Sequence, residues 1–284
     1  GTWDSGTKIV ASDAAAGDGF GRAVAISGDY AVVGARWNDD GGNNSGSAYI
    51  FRRYGAVGTN NWQHEKKLTA SDAAAGDSFG YSVSISGDYA IVGAIGNDDG
   101  GSGSGSAYIF RKDTGTGTWD SGTKIVASDA AAGDEFGWSV AIDGDYAIVG
   151  AIGNDDGGTN SGSAYIFHRT GTGNSLNTWD SGLKIQHTNP YTWDRFGQSV
   201  AIDGDYAIVG DNIPNAMSSG SAYIFRRTTT GSNTWDLKTT ISPTNGASGD
   251  RFGRGVGISG NYAIVGAPQG SSASGYSCIF HNGL

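Results

Sequence analysis

Glutamate is almost missing from this chain: of 28 acidic residues, only Glu65 and Glu135 are Glu and the rest are Asp. Proline is scarce, with 4, and methionine and cysteine occur once each. Asp favours turns and caps where Glu favours helix interiors, so a mainly helical protein is excluded. The single Cys278 excludes an internal disulfide framework and a cysteine-based zinc site. No apolar run approaches the roughly 20 residues that span a bilayer, so membrane insertion is not expected. Only 18 residues are basic, the net charge is -10, and no basic stripe can form, so nucleic acid is not expected as a partner. The sequence opens at Gly1 with no leader-like segment, which fits a processed, exported form or an excised piece.

What the chain has in abundance is glycine, 50 of 284 residues, without the Gly-X-Y period of collagen. An aromatic content of 11% and a hydrophobic content of 37% point to a packed core rather than disorder. Self-similarity organises all of it. Five Phe-Gly pairs begin at Phe20, Phe79, Phe136, Phe196 and Phe252. Five tryptophans keep step with them at Trp3, Trp62, Trp119, Trp179 and Trp235. The spacing from each Trp through Phe-Gly to the Gly of a Val-Gly pair (Gly34, Gly93, Gly150, Gly210, Gly266) is the same in every unit. Length varies only in two later loops, as expected of a rigid frame with free connections.

Each unit reads as four strands. In the third unit Phe136–Ile142 leads through a tight Gly144-Asp145 turn to Tyr146–Ala151. Ser163–Phe167 and then Trp179–Ile185 follow. The middle runs are apolar throughout and should be buried on both faces, whereas the Trp-led run is more polar, as suits an outer edge. Four antiparallel strands per unit is the pattern of a propeller blade. The expected fold is therefore all-β, a five-bladed β-propeller occupying residues 1–284 as one domain. Residues 1–10 carry a Trp-led strand with no blade of its own, and the last unit lacks one. The expectation is that this N-terminal strand completes the last blade and closes the ring. The alternative is an open array with complementary exposed ends.

The Phe-Gly, Val-Gly-Ala(-Pro) pattern, complete at Val265-Gly266-Ala267-Pro268, resembles the FG-GAP repeat of the integrin alpha-subunit propeller. The resemblance spans the chain and implies an extracellular or cell-surface binding protein, such as an adhesion module or lectin. This chain departs from that family in having five units rather than seven. Its turn between the first two strands, such as Asp143-Gly-Asp-Tyr146, is too short for the family's alternating-acid calcium loop.

Four groups of residues are candidates for chemistry. The position after Phe-Gly varies while its surroundings hardly change: Arg22, Tyr81, Trp138, Gln198 and Arg254. Strand direction puts Arg36 and Trp37 on the same face. Aromatic rings stack on sugars or hold apolar anchors, and Arg offers forked donors, so these seven are the expected ligand site. The competing reading is that they plug the mouth of the ring. Asp39, Asp40, Asp98, Asp99, Asp155 and Asp156 lie in three Asn-Asp-Asp-Gly-Gly loops and could offer oxygens to calcium, or be soluble acidic turns. No cofactor is expected to be required. Asp18, Asp77, Asp134, Asp194 and Asp250, each two residues before the Phe, read as turn-forming carboxylates rather than a catalytic ring. The five Trp residues suit either packing or a multivalent lectin. No nucleophile elbow, phosphate loop or metalloprotease helix occurs, so no enzyme is expected. The functional expectation is a binding module for a protein or glycan, with a self-assembling structural subunit as the rival. Asn43-Asn-Ser45 is one glycosylation sequon.

Overall fold

A computed structural model describes residues 3–56, 58–171, 176–211, 219–269 and 274–283. Among the described residues it contains nineteen strands and no helix. The first sheet holds β1 (Val24–Ser27), β2 (Tyr30–Ala35), β3 (Ser47–Tyr54) and β4 (Asn61–Leu68). The second holds β5 (Phe79–Ser86), β6 (Tyr89–Ala94), β7 (Ser106–Arg111) and β8 (Thr123–Ile125). The third holds β9 (Phe136–Asp143), β10 (Tyr146–Ala151), β11 (Ser163–His168) and β12 (Leu183–Ile185). The fourth holds β13 (Ser199–Asp203), β14 (Tyr206–Gly210), β15 (Ala222–Arg227) and β16 (Trp235–Ile241). The last holds β17 (Gly255–Ser259), β18 (Tyr262–Ala267) and β19 (Tyr276–His281). Strand order follows chain order in every sheet and all pairs are antiparallel, so each repeat is one meandering blade.

The tight turns fall where the sequence puts them. Asp143 pairs with Tyr146 across Gly144-Asp145, and Gly144 has φ +55°, the left-handed region that a two-residue hairpin needs. The middle strands are buried on both faces, as their unbroken apolar runs require: β6 and β10 lie wholly or almost wholly inside. The outer strands are the most irregular. Of the Trp-led run in the third blade, only Leu183–Ile185 forms a strand, with a single bridge joining Arg169 to Trp179.

Blades stack through their inner ends. The Phe of each Phe-Gly is fully buried from the second blade onward and meets third-strand rings of its own blade, as Phe136 meets Tyr165 at 5.5 Å and Phe167 at 6.0 Å, both edge-on. The Val-Gly glycine allows close approach between blades: a Cβ on Gly93 would stand 2.1 Å from the Gly137 carbonyl oxygen of the next blade.

The N-terminal strand does not complete the last blade. Among the described residues that sheet has three strands, β17-β18-β19, and residues 3–10 pair with none of them. The five blades form a propeller-like arc whose first and last members do not pack as their neighbours do.

Candidate functional site

The chain enters each inner strand through a distorted step. The residue before the Phe is left-handed in every blade: Gly19, Ser78, Glu135, Arg195 and Arg251 all have φ between +54° and +70°. The Phe-Gly glycine is left-handed too, and a Cβ on Gly80 would meet the Ser47 carbonyl at 2.3 Å, so only Gly fits there. The ladder slips at this point, between Phe79 and Ser82 in the second blade. Such a bulge re-aims the side chain that follows it.

That side chain is the variable one, and two of the five meet. The rings of Tyr81 and Trp138, on adjacent blades, lie 5.0 Å apart at 46°. Arg36, just past β2, extends the row: its guanidinium carbon is 4.3 Å from the Trp37 ring and 4.9 Å from the Tyr81 ring. The result is a line, Trp37–Arg36–Tyr81–Trp138, crossing three blades. Trp37 is exposed, and the other three are half-buried. Arg36 Nε is buried without a hydrogen-bond partner. Burial raises the Tyr81 phenol above its ordinary value, opposed by the positive charges of Arg36 and Arg22. Of the other sequence-predicted residues, Arg22 is exposed and near enough for Tyr81 to feel its charge. Gln198 is buried, and Arg254 is exposed in the last blade.

Two features of this face escaped the sequence reading. Glu135 stands three residues before Trp138, half-buried, and burial raises its carboxyl above the ordinary range against the pull of Arg195. Its repeat position varies as much as that of Tyr81, which was the available signal. The second is Trp193, left-handed at φ +71° where the other units have Gly17, Gly76, Gly133 and Gly249. It is exposed, as is Tyr191, and the Arg195 guanidinium lies 5.8 Å from its ring. A bulky residue held in that conformation is a strained one, of the kind found at functional sites.

The Asn-Asp-Asp-Gly-Gly loops hold lysines. In the first blade Lys67, from β4, bonds Asp13 and Asp40 together with Asn38 Oδ1. Lys124 does the same with Asp72, Asp99 and Asn97, and Lys184 with Asp129, Asp156 and Asn154. Each node also binds a buried tyrosine, as Tyr108 donates to Asp72 at 2.6 Å. The remaining acids, Asp39, Asp98 and Asp155, accept a backbone N–H of their own loop at 2.7 Å. The six acids proposed for calcium therefore serve five-residue loop closures and ammonium groups, and they do not converge. Among the described residues no three His, Cys, Asp or Glu side chains cluster as metal ligands. The fourth blade's counterpart, Asn212–Ala216, lies outside the described residues.

The carboxylates before Phe-Gly are structural. Asp18, Asp77, Asp134, Asp194 and Asp250 are buried, and each accepts the backbone N–H three residues back, at 2.5 to 3.0 Å. Trp119, Trp179 and Trp235 are buried as well, so their rings are not sugar platforms.

Comparison with known families assigns the repeat. The FG-GAP repeat matches at residues 3–51, 62–110, 119–167, 179–225 and 235–278. The chain belongs to the FG-GAP repeat family. No curated protein matches this FG-GAP chain. Among solved structures it resembles a putative 6-phosphogluconolactonase from Bacteroides uniformis, at 13% identity and a TM-score of 0.55. The match covers 90% of the FG-GAP chain but only 65% of the other, so the five blades span about two thirds of that protein's length. This likeness establishes the fold. It also corrects one expectation: the absence of familiar catalytic motifs does not exclude an enzyme, because a similar fold occurs in a protein described as a putative one.

Proposed function

We propose that this FG-GAP chain is a binding module, exported or surface-exposed, that takes a glycan on the face bearing Trp37, Arg36, Tyr81 and Trp138. The observation that carries the reading is the Arg36 guanidinium, held between two aromatic rings with its Nε buried and unpartnered. A buried donor without an acceptor costs roughly 1–3 kcal/mol, more where charge is involved. A ligand oxygen delivered to it recovers that loss. Sugar hydroxyls and carboxylates supply such oxygens, while sugar ring faces stack on Tyr81 and Trp138. The exposed pair Tyr191 and Trp193 offers a second aromatic contact in the fourth blade.

A glycan panel read by tryptophan fluorescence tests this, with wild type and Arg36→Ala run side by side. The expected result is a spectral change with at least one glycan that weakens in the variant. No response to any glycan, or an equal response from both proteins, contradicts it.

A further inference from the structure

We propose that the chain associates head to tail, the N-terminal strand and first blade of one copy completing the last blade of another. The two ends of the arc are matched halves of an interface that the molecule already contains four times. Val32 and Ile50, on the first blade's forward face, are 0% exposed because Val83 and Ile85 of the second blade cover them at 9% and 6%. In the last blade the equivalents of Val32 and Ile50 are Ile264 and Ile279, which are 46% and 72% exposed. In the first blade the equivalents of Val83 and Ile85 are Val24 and Ile26, 65% and 66% exposed. The last blade's face forms an open apolar hollow lined by Gly257, Ile258, Tyr262, Ile264 and Ile279.

The N-terminal strand is already posed for the joint. In the third blade Asn177 Nδ2 donates to Asp120 at 2.8 Å and to the Ile109 carbonyl at 2.7 Å, and Thr123 Oγ1 donates to the Asn177 carbonyl at 2.6 Å. These bonds fix the preceding blade's outer strand on its neighbour. Asn60 of the first blade makes the same bonds to the N-terminal segment: Asn60 Nδ2 to Asp4 at 2.9 Å, and Thr7 Oγ1 to the Asn60 carbonyl at 2.7 Å. Ile9 and Ala11 pack with Val33, Tyr49 and Phe51 behind it. Residues 3–9 thus hold the place of an outer strand whose three inner strands are elsewhere, and β17-β18-β19 is a blade with three strands.

Trp3 completes the fit. Trp119, Trp179 and Trp235 lie edge-on to the Tyr of the preceding blade, Tyr30, Tyr89 and Tyr146, at 5.6 to 6.2 Å. The next Tyr in the series is Tyr206. It borders a groove lined also by Ile224, Ile241, Phe280 and Asn282, beside the bare edge of β19. Trp3 is fully exposed in its own chain. The register of Tyr49 with Lys67 then places Lys8 opposite Cys278 of the second copy.

A second copy supplies both missing halves at once, because the bare faces at Ile264 and Ile279 and at Val24 and Ile26 are the two sides of one joint. The contact is heterologous, so it builds a ring or filament as the rotation dictates. The last blade has Asn245 and Cys278 where the lysine nodes have Asp and Tyr, so the joint rests on apolar faces and strand pairing and should resist salt.

The test is oxidative cross-linking of Lys8→Cys, which pairs with the native Cys278. Opposed antiparallel residues lie within disulfide reach, with Cα atoms about 4.5–5.5 Å apart. A ladder of covalent multimers, absent from Thr7→Cys and from wild type, is expected, together with a solution mass in multiples of 29.0 kDa that grows with concentration. A cross-linked monomer would show closure within the chain and overturn the proposal. So would no cross-link, or an equal ladder from Thr7→Cys. Gly266→Ala is the companion variant. Its Cβ meets nothing nearer than 3.7 Å within the chain, so it should melt like wild type, yet it obstructs the close approach that Gly34 and Gly93 make in the internal joints. Association undiminished in Gly266→Ala would equally overturn the proposal.

Discussion

The guanidinium of Arg36 lies 4.9 Å from the ring of Tyr81, so the first blade reaches across to the second at the mouth of the array. A charged hydrogen bond from Arg36 to a ligand oxygen contributes about 1.5–3 kcal/mol. Arg36→Ala should therefore weaken glycan binding roughly tenfold or more. The melting temperature should stay close to wild type, because the residue is only half-buried. Titration and thermal melting of the same samples check both halves.

The repeat frame is tested in the third blade. Phe136 is fully buried against Tyr165 and Phe167, and Phe136→Ala should destabilise by about 3–5 kcal/mol. Gly93→Ala acts at a joint, where its new Cβ would stand 2.1 Å from a backbone oxygen, and should cost about 1–3 kcal/mol or more. Urea titration gives both numbers. A near-zero effect of either would contradict the packing described.

Asp211 sets a pH dependence. It replaces the Ala of Val-Gly-Ala, and burial raises its carboxyl to about 7 even though Ser221 N and Tyr223 Oη donate to it at 2.6 and 3.0 Å. The folded value exceeds the unfolded one of 3.8, so the native state holds the extra proton between them. Stability from this group is complete below about pH 4, is lost as pH rises towards 7, and changes no further above that. Asp211→Asn should flatten the decline. Asp13 has the opposite sign: its bond to Lys67 lowers its pKa, so its contribution is lost on acidification below the usual carboxylate range. Denaturant midpoints measured from pH 3 to 9 separate the two limbs.

The lysine nodes predict a response to ions. Lys124 bridges Asp72, Asp99 and Asn97, with Asp99 largely exposed, so Lys124→Met should cost about 1 kcal/mol. Because the carboxylates are engaged with ammonium groups, calcium and chelator should leave the wild-type melting temperature unchanged. A rise with calcium would show that the loops rearrange around the ion.

Much of the frame was legible because its cause is local. Alternating and unbroken apolar runs, two-residue turns and the fixed Trp-to-Gly spacing each dictate one element, and five copies made them plain. The nodes were less legible, since each joins three segments distant in sequence. The signal was covariation among units: Lys67, Lys124 and Lys184 occur where Asp13, Asp72 and Asp129 occur, and Thr240 accompanies Asn189. The aromatic row was half legible. Variability pointed to Tyr81 and Trp138, but that they touch each other and that Tyr81 touches Arg36 depends on the bulge at Phe-Gly. The expected closed ring is not seen: among the described residues the last sheet has three strands and residues 3–10 pair with none of them, because pairing between distant chain ends is not dictated by any local pattern.

The most direct test of the central claim is a footprint of the bound glycan, read by hydroxyl-radical labelling of the aromatic side chains. Protection of Trp37, Tyr81 and Trp138, with Trp62 unchanged, is the predicted result. Protection confined to the outer strands, or none on this face, would contradict it.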